Sequence, residues 1–234
     1  MGFADLHIHT IYSYDGTASV SAVLRQAGRV GLDVIAITDH DEISGALKAL
    51  EFAPSHGIEV IPGIEITTAE GDLLAFNILR KVERDLPLIE TILKVGDLGG
   101  FCIAPHPMAG GLGMKSLSSY SIMKALRDHD VAQTLIGIET YNATAIDKMS
   151  NHYAHILGEH LNIARLGNSD AHIVKTIGMG MTEFAGHTAT DLLKAIHRGE
   201  TIIHKKQEWT SVRILGSWAA NYVGSAFTRL ANIA

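Results

Sequence analysis

Short apolar runs alternate with stretches of helical spacing along most of this 234-residue chain, and nearly every apolar run ends on a histidine, aspartate or glutamate. Strand-like runs fall at residues 3–9, 33–38, 58–66, 73–79, 101–104, 135–141, 163–166 and 201–204. Helical spacing recurs at residues 20–30, 42–53, 86–95, 116–126, 145–160 and 191–197; in the first of these Val20, Val23, Leu24, Ala27 and Val30 share one face. Strand followed by helix with short connections argues for an α/β chain with a mainly parallel sheet and helices outside it. About seven such units close into a barrel more readily than they extend an open sheet. The carboxyl ends of barrel strands face one mouth, so the polar residues that follow the runs are expected to converge there.

Composition narrows the classes. An apolar fraction of 47% with 19% charged residues is that of an ordinary globular chain. A formal charge of −6 and the lack of a Lys/Arg block argue against a duplex-DNA binder. The single cysteine, Cys102, sits in the apolar run Phe-Cys-Ile-Ala and reads as a core residue, with no intrachain disulfide. The first residues carry no signal-peptide pattern and Leu6 stands where a myristoylation signal has Ser or Thr, so a cytoplasmic location is the expectation.

The candidate site residues are these strand-end groups. His7 and His9 are two apart on a strand, which sends both imidazoles to one face; Asp5 shares that face and is a candidate to orient one of them. Asp15 lies in an Asp-Gly turn, His40 in Thr-Asp-His-Asp, and Glu65 ends Val-Ile-Pro-Gly-Ile. His106 is held between Pro105 and Pro107, and Asp170-Ala171-His172 repeats the spacing of the first pair. Any one of them has an ordinary structural reading, as a turn residue or a paired buried group. Their order at successive strand ends favours one shared metal site of imidazole and carboxylate without thiolate, a donor set that suits Mn, Fe or Zn.

The ordered set Asp-Leu-His-Ile-His-Thr, Thr-Asp-His-Asp, Pro-Gly-Ile-Glu, Ala-Pro-His-Pro and Asn-Ser-Asp-Ala-His resembles the PHP (polymerase and histidinol phosphatase) superfamily of metal-dependent phosphoesterases over residues 3–204. The resemblance implies a distorted seven-stranded β/α barrel holding two or three divalent ions. It implies that His7, His9, Glu65 and Asp170 hold the first ion and that Glu65 bridges to a second ion also held by His106. Asp15, His40 and His172 would hold a third and supply the catalytic proton. Members with three ions carry a further histidine on the strand corresponding to residues 136–141; here Glu139 and Asn142 stand there, and they are the candidate substitutes at the second ion.

The activity expected from this resemblance is hydrolysis of a small phosphate ester by a metal-activated hydroxide. The substrate expected is a nucleotide, a short oligonucleotide or another small phosphomonoester; the alternatives are a histidinol phosphatase, a non-catalytic module and metal-assisted C–N hydrolysis. Lys115, after the glycine-rich Gly110-Gly111-Leu112-Gly113 loop, and Lys175 are candidates for the substrate's phosphate, although a solvated lysine is the commoner reading of each. His152 and His155 read as outer-helix surface residues. Residues 1–206 are expected to form the barrel. Residues 207–234 are expected to form an amphipathic helix whose stripe of Leu215, Trp218, Ala219, Tyr222, Ala226 and Leu230 packs on the barrel or on a second copy in a homo-oligomer. That segment is too polar to span a membrane.

Overall fold

Local signals account for where the elements begin and end. The first helix, α1 (Val20–Val30), starts where the Ser19 side chain accepts from the Ala22 amide and stops at Gly31, whose φ of 84° is the left-handed conformation that favours glycine. Its buried face is Val20, Val23, Leu24 and Ala27, as the periodicity predicts. The computed structural model describes residues 1–110 and 115–233, with side chains to Ala226. The remaining helices are α2 (Ser44–Phe52), α3 (Leu88–Asp97), α4 (Ser119–Ala125), α5 (His129–Thr134), α6 (Lys148–His160), α7 (Ala189–Arg198) and α8 (Ser211–Ile233).

The strands are β1 (Gly2–Asp5), β2 (Val34–Ile37), β3 (Glu59–Thr67), β4 (Asp72–Phe76), β5 (Phe101–Ala104), β6 (Leu135–Asn142), β7 (Ala164–Asn168), β8 (Gly180–Phe184) and β9 (Ile202–Lys205), in the spatial order β7-β6-β5-β4-β3-β2-β1-β8-β9. The α/β barrel class holds, but the sheet among the described residues has nine strands rather than seven. Four neighbour pairs are parallel; β4 runs antiparallel to both β3 and β5, and β8 runs antiparallel to both β1 and β9. A short turn suffices to fold β4 back on β3, whereas a parallel neighbour needs a crossover. The run at residues 73–79 ends early, at Phe76, because Asn77 turns the chain with φ of 59°.

The sheet curls until its ends meet. Beyond β1 and β7 the Ala171 amide donates to the His7 carbonyl (3.2 Å) and the His9 amide to the Ala171 carbonyl (2.9 Å). Lower down, Asn168 Oδ1 accepts from the Leu6 amide at 2.9 Å, and Thr182 Oγ1 bonds both the amide and the carbonyl of Gly167. Asp5 takes part in this closure, accepting from the amides of Ser169 (3.0 Å) and Gly178 (2.9 Å) rather than from an imidazole. A Cβ at Gly180 would lie 2.3 Å from the Asn168 carbonyl oxygen, so the approach of β8 to β7 requires glycine there.

Alternation along the strands separates an outer cluster of the core from an inner one. Leu73 and Ala75 join the outer cluster with α1 to α5, whereas Leu74 and Phe76 join an inner one with Leu6, Ala36, Ile103 and Leu166, sealed by Leu192, Ala195 and Ile196 of α7. Cys102 is fully buried in β5. A third, smaller cluster seats the start of α8: Trp209 and Ile214 pack with Tyr141, Ala143, Ile173 and Met179. Of the apolar stripe on that helix, the Leu230 side chain lies outside the described residues. Among the described residues no helix is long and apolar enough to cross a membrane.

Candidate metal centre

Closing the sheet at its carboxyl end brings the histidines and carboxylates of six segments together. Glu65 lies at their middle. Its Oε2 is 3.2 Å from His7 Nε2, 3.3 Å from His9 Nε2 and 3.3 Å from His40 Nδ1, and its Oε1 is 3.2 Å from His106 Nε2. Asp170 Oδ1 lies 3.2 Å from His9 Nε2 and 3.4 Å from His7 Nε2. On the solvent side Asp15 Oδ2 sits 3.1 Å from His172 Nε2 and 3.4 Å from His40 Nε2. His7, His9, Glu65, His106 and Asp170 are buried, while the His172 side chain keeps 23% exposure and faces the cavity above.

The backbone is bent to allow this. His106 and Asp170 both have positive φ, 25° and 52°, an unfavourable region for residues with a Cβ. Such strain persists where the surroundings over-determine it, here through β-strand closure and the charged groups themselves.

The donor atoms aim at shared space more than at one another. The buried Nδ1 and Nε2 of His9 and Oδ1 of Asp170 have no hydrogen-bond partner, although His9 Nε2 is within 3.3 Å of two carboxylate oxygens. Unpaired buried polar atoms are costly unless something coordinates them, and a divalent cation suits this imidazole and carboxylate set. Donors within 4.8 Å of one another form four groups: His7, His9 and Asp170; His7, Glu65 and His106; His9, Asp15, His40 and His172; and His40, Glu65 and Asp72.

Asp72 was not singled out in the sequence. It opens β4, is buried, and its Oδ1 also lacks a partner. Burial pushes its carboxyl up to about 6, with the Glu65 charge adding to the rise. Its one signal was a carboxylate opening an otherwise apolar run, and only the hairpin with β3 carries it to Glu65.

Glu139 and Asn142 stand behind the donors. Glu139 Oε1 is 3.2 Å from His7 Nδ1 and accepts from Asn168 Nδ2 at 3.0 Å; its Oε2 accepts from the His106 amide (2.8 Å) and from Asn142 Nδ2 (3.0 Å). Asn142 Nδ2 also donates to Asp170 Oδ2 at 3.0 Å. Neither residue belongs to any of the four donor groups among the described residues. With Nδ1 of His7 donating to Glu139, Nε2 is the nitrogen that faces Glu65 and Asp170.

The electrostatics follow from the crowding. Burial alone would raise the pKa of Glu65, but His40, His7 and His106 hold it well below the usual carboxylate range. Asp170 behaves likewise, with burial outweighed by His7, His172 and His9, and so does Asp15, held low chiefly by His172. Burial lowers the imidazole values, yet Asp170, Glu65 and Glu139 lift His7 well above 6.5, and Asp15 and Asp170 lift His172.

The other candidates lie elsewhere. Lys115 and Lys175 are exposed, and neither lines the cavity over the donor groups among the described residues. Residues 111–113 of the glycine-rich loop lie outside the described residues. His152 and His155 are on the exposed side of α6.

Comparison with known proteins places the chain. The PHP domain family matches residues 5–210. An uncharacterised protein of Methanocaldococcus jannaschii is 34% identical over 161 residues, 64% of this chain and 88% of that one. An error-prone DNA polymerase of Nocardia farcinica is 38% identical over 66 residues, which span 28% of this chain and only 6% of the polymerase. A two-domain protein of Bacteroides vulgatus containing a predicted PHP-like metal-dependent phosphoesterase superposes with a TM-score of 0.68 at 20% identity, over 87% of this chain and 64% of that one.

Proposed function

This chain belongs to the PHP domain family, and we propose that it is a hydrolase of phosphate esters that works with two to three divalent ions of the Mn, Fe or Zn class. The observation that carries this reading is the convergence of four donor groups on and around Glu65 at one end of the barrel. His7, His9 and Asp170 would hold one ion, Glu65 and His106 a second beside it, and Asp15, His40 and His172 a third, with Asp72 completing the donor set near His40 and Glu65. Ions bound there would lower the pKa of a water and neutralise charge on the phosphoryl oxygens.

The residues themselves supply position and protons. Glu139 fixes the tautomer of His7, and Asn142 steers Asp170, so that the donor atoms stay turned inward. His172 and His40 share Asp15 Oδ2 and border the cavity, which makes this trio the proton source for the departing alkoxide oxygen. No serine or cysteine nucleophile is called for, and the buried Cys102 thiol, pushed up by burial, is a poor one.

The substrate class is a nucleotide, a short oligonucleotide or another small phosphomonoester. Phosphate release from a panel of such esters with Mn tests it. His9→Ala and Asp170→Ala are expected to abolish release while far-ultraviolet dichroism stays that of the wild type. Release from no ester, or undiminished release by metal-loaded His9→Ala, would overturn the proposal.

A further inference from the structure

We infer that the C-terminal helix α8 is part of the substrate site, forming a shelf for a flat, apolar leaving group. The cavity above the donor groups has a volume of about 420 Å³, within the usual range for a small-ligand site. Part of its lining is acidic and imidazole-bearing. Most of the rest is apolar: Ile146 and Ile173 from the barrel loops with Ile214, Leu215 and Trp218 from α8. A phosphoryl group drawn to the donor side therefore leaves its ester substituent against α8.

Three features fix this wall in place. Ile214 is buried in the cluster that seats the helix, and Ser211 Oγ donates to the Ile146 carbonyl at 2.8 Å. Trp218 Nε1 donates to the backbone carbonyl of Asp15 at 2.9 Å, which ties the indole to the loop that carries a member of the donor group. Tyr14, next to Asp15, also lines the cavity and stacks on His40 with ring centroids 4.9 Å apart.

The wall selects by chemistry. No lysine or arginine is among the described residues that line the cavity, so it offers no cation for a second phosphate on the leaving group. Apolar and aromatic surface rewards a ring or other flat hydrophobic substituent instead. Within the phosphate esters proposed above, this narrows the ligand class to a monoester of one phosphate with an aromatic or otherwise apolar alcohol and sets the oligonucleotide aside.

This inference rests on the phosphoesterase reading for its phosphoryl end, and binding of non-hydrolysable analogues separates the two. Calorimetry on the Mn-loaded full chain would compare phenylphosphonate with methylphosphonate. The wild type should bind the phenyl compound at least about tenfold more tightly. Trp218→Ala and Leu215→Ala should each cut that ratio below about threefold, and Trp218→Phe, which keeps a ring but loses the bond to Asp15, should restore most of it. Leu215→Ala leaves both Ile214 and the Trp218 anchor in place, so it reads the wall even where loss of the indole loosens the helix. A wild-type ratio near one, or a ratio unchanged in both alanine variants, would overturn the shelf; binding of neither compound would overturn the phosphoryl end on which it rests, and the shelf with it. A chain that shows the expected ratios yet releases no phosphate from phenyl phosphate overturns the hydrolase reading and leaves the shelf standing.

Discussion

Glu139→Gln is nearly isosteric, yet it should damage this protein because each oxygen of the carboxylate faces two donors. Oε1 receives His7 Nδ1 and Asn168 Nδ2; Oε2 receives the His106 amide and Asn142 Nδ2. A carboxamide satisfies one of these pairs and turns its own N–H groups toward the other. The neighbours cannot simply flip, since Asn168 Oδ1 accepts from the Leu6 amide and Asn142 Oδ1 from the Thr144 amide. Leaving two buried donors unmatched at roughly 1–3 kcal/mol each gives a loss of about 4 kcal/mol in unfolding free energy. If His7 instead accepts at Nδ1, its proton moves to Nε2, the nitrogen that faces Glu65 and Asp170, and metal binding suffers.

Loss of such an orienting partner typically lowers metal affinity by roughly 10–100-fold. Urea unfolding of the chelated variant and calorimetric titration with Mn read the two effects separately. A stability change under about 1 kcal/mol with unaltered Mn affinity would refute the reasoning. An affinity loss beyond about a thousandfold would make Glu139 a direct ligand rather than a positioning residue.

Three further outcomes are expected. In chelated protein the raised imidazoles of His7, His40, His106 and His172 contribute stability that is complete below their ordinary value of 6.5 and is lost as pH rises through their higher folded values. The lowered Glu65 and Asp170 contribute stability that is present above the ordinary carboxylate range and lost as pH falls through their folded values. Thermal stability of the chelated protein should therefore fall from neutral toward alkaline pH, and the stabilisation gained on adding Mn should grow over the same interval, because ion binding needs unprotonated imidazoles; a Mn gain that shrinks toward alkaline pH would contradict this. Cys102, its thiol raised by burial, should resist a thiol reagent at pH 8 in the folded protein and react at once in denaturant, and fast labelling of the native chain would count against its burial. Truncation after Lys206 uncovers Tyr141, Ala143, Ile173 and Met179 and removes the buried Trp209 and Ile214; a loss of about 4 kcal/mol, or roughly 8–16 °C in Tm, should follow in calorimetry, and an unchanged Tm would show that α8 is not seated on the barrel.

Much of the metal centre could be read in advance because its chemistry is written in short local patterns. A histidine pair two apart in an apolar run, which the structure places just beyond β1, a glutamate ending an apolar run and a histidine held between prolines each carry their meaning within a few residues. The same holds for α1, where Ser19 and Gly31 mark the two ends. β8 was missed because Gly178 just before it and Gly180 at its start break up the pattern, and its place is set by antiparallel pairing with β1 and β9.

By itself, then, the sequence determined most of the order of elements, the barrel class and most of the candidate donors at the strand ends, since strand alternation, helix capping and ligand type are local properties. The tertiary structure decided what only distant pairing can. It brought Asp72 beside Glu65 through a hairpin, turned Glu139 onto His7 from 132 residues away, and tied Trp218 to Asp15 across 203 residues. Those contacts depend on how a curled sheet brings its two ends together. No local rule specifies that closure, because its free energy resides in contacts between residues far apart in the chain.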